Sequence, residues 1–318
     1  MYDGWRSVIN GLKDPQRAYH IVGKDINRWW YRDSDAEYNP AGQSIHEKDW
    51  DNLIIIDSCR YDYFRQKNTF SGNLTPFQSL GSSSSEFVRA NLSNQQHHDL
   101  VITSANGWYE KVFLQDGFSV HDLRIIKDNH ELNRDDEIYY KFADAGRGGW
   151  VRPESTTAEA KRMVKQYPHK RHIIHYHQPH IPFIGPTGIE HFDELPLGWG
   201  DGGHQGTLSA SDELIRKAYA ENVDIALDAV SNLLPHLDGK TVISADHGDF
   251  LGERGFPVPI KLYAHPSSYY SDTLTKVPWF VVDHDERRDI VVEEPDGELT
   301  VGDEHSIDQR LRSLGYKI

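Results

Sequence analysis

The sequence predicts an α/β fold, a three-layer α/β/α sandwich around a mainly parallel central sheet. Two observations carry this prediction. Short continuous apolar runs, of the length of buried parallel strands, alternate with segments in which apolar residues recur at helical spacing. In addition, 318 residues with 37% hydrophobic content are enough to bury one large core.

Five apolar runs are predicted to be strands. The run Leu-Ile-Ile-Ile before Asp57 is apolar throughout, as expected for a strand that is covered by helices on both faces. Polar or turn residues bound each of the other runs. In chain order, the predicted strands cover residues 53–57, 100–103, 172–177, 241–244 and 277–282.

Predicted helices separate these strands. The longest has one apolar stripe and is ended by Pro235 and Gly239. Serines before another helix can accept hydrogen bonds from the amides of its first turn. The predicted helices cover residues 60–66, 85–92, 156–166, 211–234 and 306–314. Residues 185–210, rich in Gly and Pro, are predicted to form a long loop at the rim of an active site.

Residues 1–34 are predicted to form an amphipathic arm ahead of a catalytic domain at residues 50–318. Apolar residues at helical spacing, interrupted near Pro15, indicate two short helices. The arm can pack on the main domain, or it can dock on a membrane or on a partner protein. The tryptophans of the arm favour docking, whereas no basic face supports it.

The charge balance excludes one class of partner. The chain has 34 Lys and Arg against 49 Asp and Glu, a formal net charge of −15 that is spread along the sequence. Nucleic acids require basic patches, so we expect no nucleic-acid partner. Such an excess of carboxylates is typical of proteins from high-salt organisms, although an ordinary acidic protein can show it too.

Cysteine content and hydropathy bound the cellular context. The single cysteine, Cys59, excludes internal disulfides and a cysteine-ligated zinc site. No apolar run is long enough to span a bilayer. The first residues lack the basic and apolar regions of a signal peptide, so we expect a cytoplasmic protein.

The strongest candidates for a functional site follow two of the predicted strands. Asp57 follows the first strand, and Asp246 and His247 follow the strand at 241–244. The carboxyl ends of parallel strands meet at one edge of the sheet, where ligands bind in open α/β folds. Two carboxylates and an imidazole at this edge can hold a divalent ion. Each of these residues alone could be only a helix or turn cap.

A run of serines is the candidate for the nucleophile. Gly81 is followed by four serines, residues 82–85, and by a predicted helix. Hydroxyl groups beside the amides of a helix N-terminus suit attack on an anionic group. A bound divalent ion lowers the pKa of a serine hydroxyl and so activates it. Without a metal site, the same run would be a polar linker with a helix cap.

Four histidines complete the candidate residues. His180 lies between two prolines, which restrict its backbone beyond the strand end. His265 could complete a second metal site or protonate a leaving group. His175 and His177 share one strand face and are either core residues or supports of the site.

Taken in order, these segments resemble the alkaline phosphatase and sulfatase superfamily, and its sulfatase-like branch most closely. Asp57 with the following Arg60 resembles the first motif, in which a strand ends in a metal-binding Asp. The sequence Gln-Pro-His180-Ile-Pro-Phe is similar to the segment Asp-Pro-His-x-Pro-Tyr, whose His contacts the anionic group. The matching segments are residues 52–62, 81–87, 178–183, 219–234 and 241–255, then His265 and Val277-Pro278.

The resemblance implies an alkaline phosphatase-like fold and one or two divalent ions. Asp57, Asp246, His247 and His265 would bind the metal, and His180 would bind the substrate anion. Many sulfatases use a second Asp on calcium where this chain has Ser, and they have Asn in place of His247. Zinc, manganese or magnesium is therefore favoured over calcium.

The serine run departs from the sulfatase pattern. Sulfatases convert a Cys or Ser in Cys-x-Pro-Ser-Arg to formylglycine, whereas this chain has Ser82-Ser-Ser-Ser-Glu86 without the Pro and the Arg. The departure argues against that modification. Cys59 lies two residues after Asp57, away from this position. Matching Glu86 to the Arg of the signature puts the nucleophile at Ser82, with Ser84 as the alternative.

Together, these features predict a metal-dependent hydrolase or transferase that acts on phosphate esters or diesters through a serine nucleophile. The expected substrates are small molecules or glycan- or lipid-linked phosphate or sulfate esters. Hydrolysis of sulfate esters without formylglycine is one alternative. A catalytically inactive binding module with the same fold is another, and the absence of a bindable divalent ion would favour it.

Overall fold

We describe a computed structural model of the chain, which covers residues 15–32, 35–126, 151–192, 210–284, 286–295, 297, 299 and 301–313. The predicted segment before Pro15, most of the predicted loop at 185–210 and the last residue of the predicted helix at 306–314 lie outside these residues.

The described residues form a seven-stranded sheet and a separate two-stranded hairpin. The strands are β1 (Asn52–Ile56), β2 (Gly72–Gln78), β3 (Gln96–Ser104), β4 (Ser119–Ile125), β5 (Arg171–Tyr176), β6 (Thr241–Ser244), β7 (Phe250–Arg254), β8 (Lys261–Ala264) and β9 (Lys276–Val282). The order in the large sheet is β2-β9-β6-β1-β5-β3-β4, and β7 pairs with β8.

The large sheet is mainly parallel, as predicted. Strand β1 pairs in parallel with β5 and β6, and β3 pairs in parallel with β4 and β5. Only β9 runs against its neighbours β2 and β6 among these strands. All five residues of the central strand β1 are buried, which explains why its sequence is a continuous apolar run.

The helices are α1 (Pro15–Tyr31), α2 (Tyr61–Lys67), α3 (Ser84–Leu92), α4 (Trp108–Asp116), α5 (Pro153–Gln166), α6 (Pro186–His191), α7 (Asp212–Leu233), α8 (Asp272–Thr275) and α9 (Glu304–Ser313). Helix α7 contacts α2, α5 and α6, whereas α4 contacts α3 and α9. These two groups flank the sheet, and the predicted α/β/α sandwich is confirmed.

All five strands and all five helices predicted between residues 53 and 314 occur, and all but the strand at 241–244 have shifted ends. The prediction missed strands β2, β4, β7 and β8, which share a mixed polar and apolar composition. Strand β2, for example, lies at an edge of the sheet, contains Pro76 and is largely exposed. An edge strand is not covered on all sides, so its sequence lacks the continuous apolar run that identifies a central strand.

Helix α1 packs on the β7–β8 hairpin. Asn27 Nδ2 donates to the Val258 carbonyl (2.8 Å), and the Val258 N–H donates to Asn27 Oδ1 (2.7 Å). The ring of Tyr31 lies 4.9 Å from that of Tyr269. The division into an arm at 1–34 and a domain at 50–318 stays a prediction. Among the described helices, none combines the length and apolar character needed to cross a bilayer.

Candidate metal centre and active site

Three candidate site residues lie together at the carboxyl ends of the central strands. Asp57 directly follows β1, and Asp246 lies two residues beyond β6. His175 lies in β5, where it is the register partner of Ile55 in β1. Because β5, β1 and β6 are parallel neighbours, their carboxyl ends meet at the same edge of the sheet.

Asp57, His175 and Asp246 form a buried group that can hold a metal ion. His175 Nε2 lies 3.6 Å from Asp57 Oδ2 and 3.8 Å from Asp246 Oδ2. Bonds of about 2 Å to one ion place its ligand atoms about 3–4 Å apart. All three side chains are fully buried, and neither His175 Nε2 nor Asp246 Oδ2 has a hydrogen-bond partner. Since buried polar atoms are normally paired, a divalent cation fits this group.

Hydrogen bonds from neighbouring residues orient the two carboxylates. The Ser58 N–H donates to Asp246 Oδ1 (3.0 Å), and the Ser58 hydroxyl donates to Asp57 Oδ1 (2.9 Å). The Asn106 side-chain amide donates to Asp57 Oδ2 (2.8 Å). Ser58 has a φ of 63°, a left-handed conformation that is costly for a residue other than Gly. The chain therefore adopts a strained turn where it connects the two carboxylates.

The imidazole of His175 is also held from behind. Its Nδ1 lies 3.1 Å from the hydroxyl of Tyr109, which is buried on α4. An imidazole that offers Nε2 to an ion carries its proton on Nδ1, and this proton can be donated to the tyrosine oxygen. Tyr109 thus fixes the direction of the ring and can accept the Nδ1 proton.

The surroundings favour the ionised form of Asp57 and the neutral forms of His177 and His180. Burial acts to raise the pKa of Asp57, but His175, His180 and His247 around it hold that pKa well below its usual range. Burial lowers the pKa of His180 well below its usual value, and it lowers the pKa of His177 as well. Ionised carboxylates and neutral imidazoles are the forms that bind metal.

His247 links the carboxylates to one of the two candidate nucleophiles. Its Nε2 lies 3.3 Å from Asp246 Oδ2, 3.8 Å from Asp57 Oδ1 and 3.2 Å from Ser84 Oγ. Its Nδ1 donates to the Gly248 carbonyl (2.8 Å). In the neutral ring, Nε2 therefore carries the lone pair, which can accept the Ser84 proton or bind an ion.

The two candidate serines have different surroundings. Ser84 is the first residue of α3 and lies beside His247. The hydroxyl oxygen of Ser82 lies 2.9 Å from Glu86 Oε2 and 3.1 Å from the Pro266 carbonyl, and it accepts the Tyr269 N–H (3.2 Å). The hydroxyl of Ser82 is thus engaged by the loop after β8, whereas that of Ser84 adjoins the metal-binding group.

Glu86 joins the serine run to that loop. Its Oε2 accepts the Ser82 N–H (2.8 Å), and its Oε1 accepts the Ser268 N–H (2.7 Å). The carboxylate therefore connects the start of α3 to the segment that follows His265. The sulfatase signature has Arg at the position of Glu86. An acidic residue therefore makes this connection where the signature has a basic one.

His180 and His265 lie on the other side of His247. The ring centroid of His265 is 4.3 Å from that of His247 and 5.0 Å from that of His180. Burial disfavours a charged His265, but Asp249, 3.5 Å from its Nδ1, and the other carboxylates raise the pKa of His265. His265 is therefore placed to hold a proton or to join a second ion site with Asp249.

The predicted anion-binding role of His180 depends on its protonation. Its Nδ1 donates to the Ile181 carbonyl (2.8 Å), so in the neutral ring Nε2 is an acceptor. An acceptor can bind a cation, but it cannot donate to a phosphate oxygen. Binding of an anion would require the doubly protonated ring. The backbone of the segment is held by Asn222 of α7, whose Nδ2 donates to the Pro182 carbonyl (2.9 Å).

Sequence reasoning left three contributors unassigned. The sequence does not decide whether His175 is a core residue or a support of the site. The alternation of side chains along a strand does not show what packs against each face. Asn106 and Tyr109 follow β3, and neither belongs to a motif of the sequence. The position of Asn106 just beyond a parallel strand is a signal that could have identified it. For Tyr109 the sequence contains no comparable signal.

The fold and the site together define an α/β sandwich with a metal-binding group and a serine at the carboxyl edge of its sheet. Comparison with family models and with curated proteins finds no match. Several solved structures are similar. The soluble domain of lipooligosaccharide phosphoethanolamine transferase A from Neisseria meningitidis has 13% identity and a TM-score of 0.45, over 73% of this chain and 75% of that one.

Two further structures have comparable similarity. The periplasmic domain of phosphoethanolamine transferase EptC from Campylobacter jejuni has 14% identity and a TM-score of 0.45, over 77% of this chain and 81% of that one. A phosphonate monoester hydrolase from Silicibacter pomeroyi has 14% identity and a TM-score of 0.43, over 84% of this chain and 73% of that one. All three belong to the superfamily that the sequence motifs resemble. At these identities and TM-scores, they say nothing about the substrate of this chain.

Proposed function

We propose that this chain is a metal-dependent phosphoester hydrolase or phosphotransferase with Ser84 as its nucleophile. One observation carries the proposal: the hydroxyl of Ser84 lies 3.2 Å from His247 Nε2, directly beside the buried group of Asp57, His175 and Asp246. A nucleophile next to a metal-binding group and at the start of a helix is an arrangement suited to phosphate chemistry.

Asp57, Asp246 and His175 would hold the ion, with His247 as a fourth ligand or as the base for Ser84. A divalent ion supplies positive charge that favours the ionised serine and stabilises the charge that develops on the phosphoryl oxygens. The first amides of α3 have no acceptor within the helix and can donate to the same oxygens. The predicted ions, zinc, manganese and magnesium, all suit a set of carboxylate and imidazole ligands.

The chemical step is a displacement at phosphorus. Ser84 Oγ gives its proton to His247 Nε2, or to water where His247 binds the ion, and forms a bond to phosphorus, while the bond from phosphorus to the leaving alcohol breaks. The leaving oxygen takes up a proton, for which His265 is the candidate donor because carboxylates raise its pKa. Water or an acceptor alcohol then attacks the phosphoserine and releases Ser84. The acceptor decides between hydrolysis and transfer.

The test is a substrate and metal screen on the purified chain. The protein is stripped with a chelator, and zinc, manganese, magnesium or calcium is restored before a phosphomonoester, a phosphodiester and a sulfate ester with the same chromogenic leaving group are assayed. We expect turnover of a phosphoester only after a metal is restored. Asp246→Asn, which removes one ligand charge, is expected to reduce that turnover by about 100-fold or more.

Three results would contradict the proposal. Turnover that persists in the chelator-stripped protein would exclude a metal-dependent reaction. A protein that binds none of the four ions would favour the inactive binding module. Faster turnover of the sulfate ester than of both phosphoesters would support the alternative activity. Asp228→Asn is the matched control, because Asp228 lies on the exposed side of α7, away from the site.

A further inference from the structure

Helix α1 exposes a stripe of large apolar side chains. Tyr19, Val22, Ile26, Trp29 and Trp30 recur at helical spacing and are 41–74% exposed, Trp29 most of all. Single exposed apolar residues are ordinary on protein surfaces, whereas five on one stripe indicate an interaction surface. We call these five residues the α1 stripe.

The stripe is not the side of α1 that packs on the protein. The packed side is formed by His20, Gly23, Asn27 and Tyr31, which also recur at helical spacing. His20 Nε2, for example, donates to the Lys261 carbonyl (2.7 Å) on β8. The hairpin therefore supports the helix from one side and leaves the stripe exposed beside it.

The charge near the stripe differs from that of the rest of the chain. Residues 15–32 contain four basic residues and one acidic residue, a net charge of +3, while the whole chain carries −15 and the remainder thus −18. Lys24, Arg28 and Arg32 follow one another at four-residue spacing on the side of the helix away from the stripe. This basic side was not recognised in the sequence. Because charges beyond about 10 Å are screened at 0.1 M salt, the local positive charge dominates at a surface that contacts α1.

The hairpin under α1 connects directly to the candidate site. Strand β7 begins at Phe250, next to Asp249, and β8 ends at Ala264, next to His265. The hairpin segment also exposes Phe256, which is 55% exposed and whose ring lies 5.5 Å from that of Trp30. The stripe is thus continued by an apolar side chain of the hairpin whose two ends carry site residues.

We propose that α1 docks on an anionic lipid surface, with the α1 stripe and Phe256 in the interface and the basic side toward the headgroups. An amphipathic helix with tryptophans on one face and basic residues on the other is the form that lies in such an interface. The docking would hold the candidate site next to a phosphate ester in the same surface. Only this last step rests on the proposed function.

The test measures binding of the purified full chain to sedimented vesicles. One vesicle preparation contains phosphatidylglycerol, and the other contains only phosphatidylcholine, at equal salt. We expect at least about tenfold stronger binding to the anionic vesicles, since each basic residue near the surface contributes about 1 kcal/mol. Val22→Ser/Trp29→Ser removes two side chains of the stripe that are 56% and 74% exposed, and binding is expected to fall at least about tenfold.

Controls separate docking from folding and from catalysis. Leu114→Ser/Val292→Ser removes two apolar side chains that are 43% and 72% exposed on other parts of the chain, and it should bind vesicles like the unaltered protein. Both double variants should hydrolyse a soluble phosphodiester at the unaltered rate. Soluble activity without vesicle binding would overturn the docking alone, whereas binding without any activity would overturn the proposed function alone.

Two further outcomes would overturn the docking proposal. Equal binding of the Val22→Ser/Trp29→Ser variant and the unaltered chain would show that the stripe is not the contact. A dimer in light scattering that the same two substitutions dissociate would show that a second copy of the chain covers the stripe. If lipid and not a second copy of the chain covers the stripe, the chain is expected to be a monomer in the absence of vesicles.

Discussion

At the scale of single residues, the candidate site is marked by two buried atoms that lack hydrogen-bond partners. His175 Nε2 and Asp246 Oδ2 are fully buried and have no hydrogen-bond partner, although the neighbouring atoms of the same side chains are well bonded. Leaving two such atoms unsatisfied would cost roughly 1–3 kcal/mol each. Function offers a reason for this cost, because a bound cation would pair with both atoms at once.

The first prediction concerns His175. His175→Gln removes the imidazole nitrogen that faces the two carboxylates, and we expect the affinity for zinc or manganese to fall at least about tenfold. Isothermal titration of the chelator-stripped protein measures it. His177→Gln is the matched control, because His177 lies just beyond the same strand but uses Nε2 to donate to the Ile181 carbonyl (2.9 Å). Equal losses in the two variants would remove His175 from the ligand set.

At the scale of elements, the strands that position the ligands were the easiest to predict. β1, β5 and β6 are central and buried on both faces, so their composition alone identifies them. The position of Asp57 and Asp246 at their carboxyl ends follows from the parallel order. The different surroundings of Ser82 and Ser84 could not be predicted in the same way, because they depend on how α3 meets the loop after β8. That contact joins residues about 180 positions apart, and no local pattern records it.

The second prediction concerns this contact. Glu86→Ala removes the acceptor of the Ser82 and Ser268 amides, and we expect the free energy of unfolding to fall by about 2 kcal/mol. We also expect a larger fold-change in kcat, which falls, than in KM, because Ser84 and His265 flank the lost connection. Urea unfolding and steady-state kinetics measure the two effects.

Glu86→Gln, which keeps one carbonyl acceptor, should restore part of both. Ser85→Ala, on the same turn, should change neither, and unchanged kcat in Glu86→Ala would show that Glu86 does not position the site.

At the scale of the whole molecule, buried neutral histidines outside the site make the fold sensitive to acid. Burial lowers the pKa of His172 and of His46 to about 4 each, against an ordinary value of about 6.5. His172 donates to the Tyr167 carbonyl and His46 to the Asn91 carbonyl. Below pH 6.5 the unfolded chain therefore binds protons that the folded chain does not. Stability is present above the unfolded pKa and is lost as the pH falls from about 6.5 toward 4.

The third prediction follows from this sign. Between pH 7.5 and pH 5.0, His172 alone should cost the folded state about 2 kcal/mol. In His172→Gln, whose amide can still donate to the Tyr167 carbonyl, the loss of unfolding free energy over this range should be smaller by that amount. Urea titrations at the two pH values measure it. His284→Gln is the control, because His284 is exposed and the loss should be unchanged. An identical loss in His172→Gln would show that His172 does not titrate with unfolding.

The most direct test of the central claim is the site of covalent attachment. The metal-loaded chain is mixed with a chromogenic phosphodiester, quenched in acid during the first turnover, digested and sequenced by mass spectrometry. The proposed mechanism predicts a phosphoryl adduct on Ser84, a burst of leaving group equal to the enzyme concentration, and neither in Ser84→Ala. An adduct on Ser82, or full activity of Ser84→Ala, would contradict it.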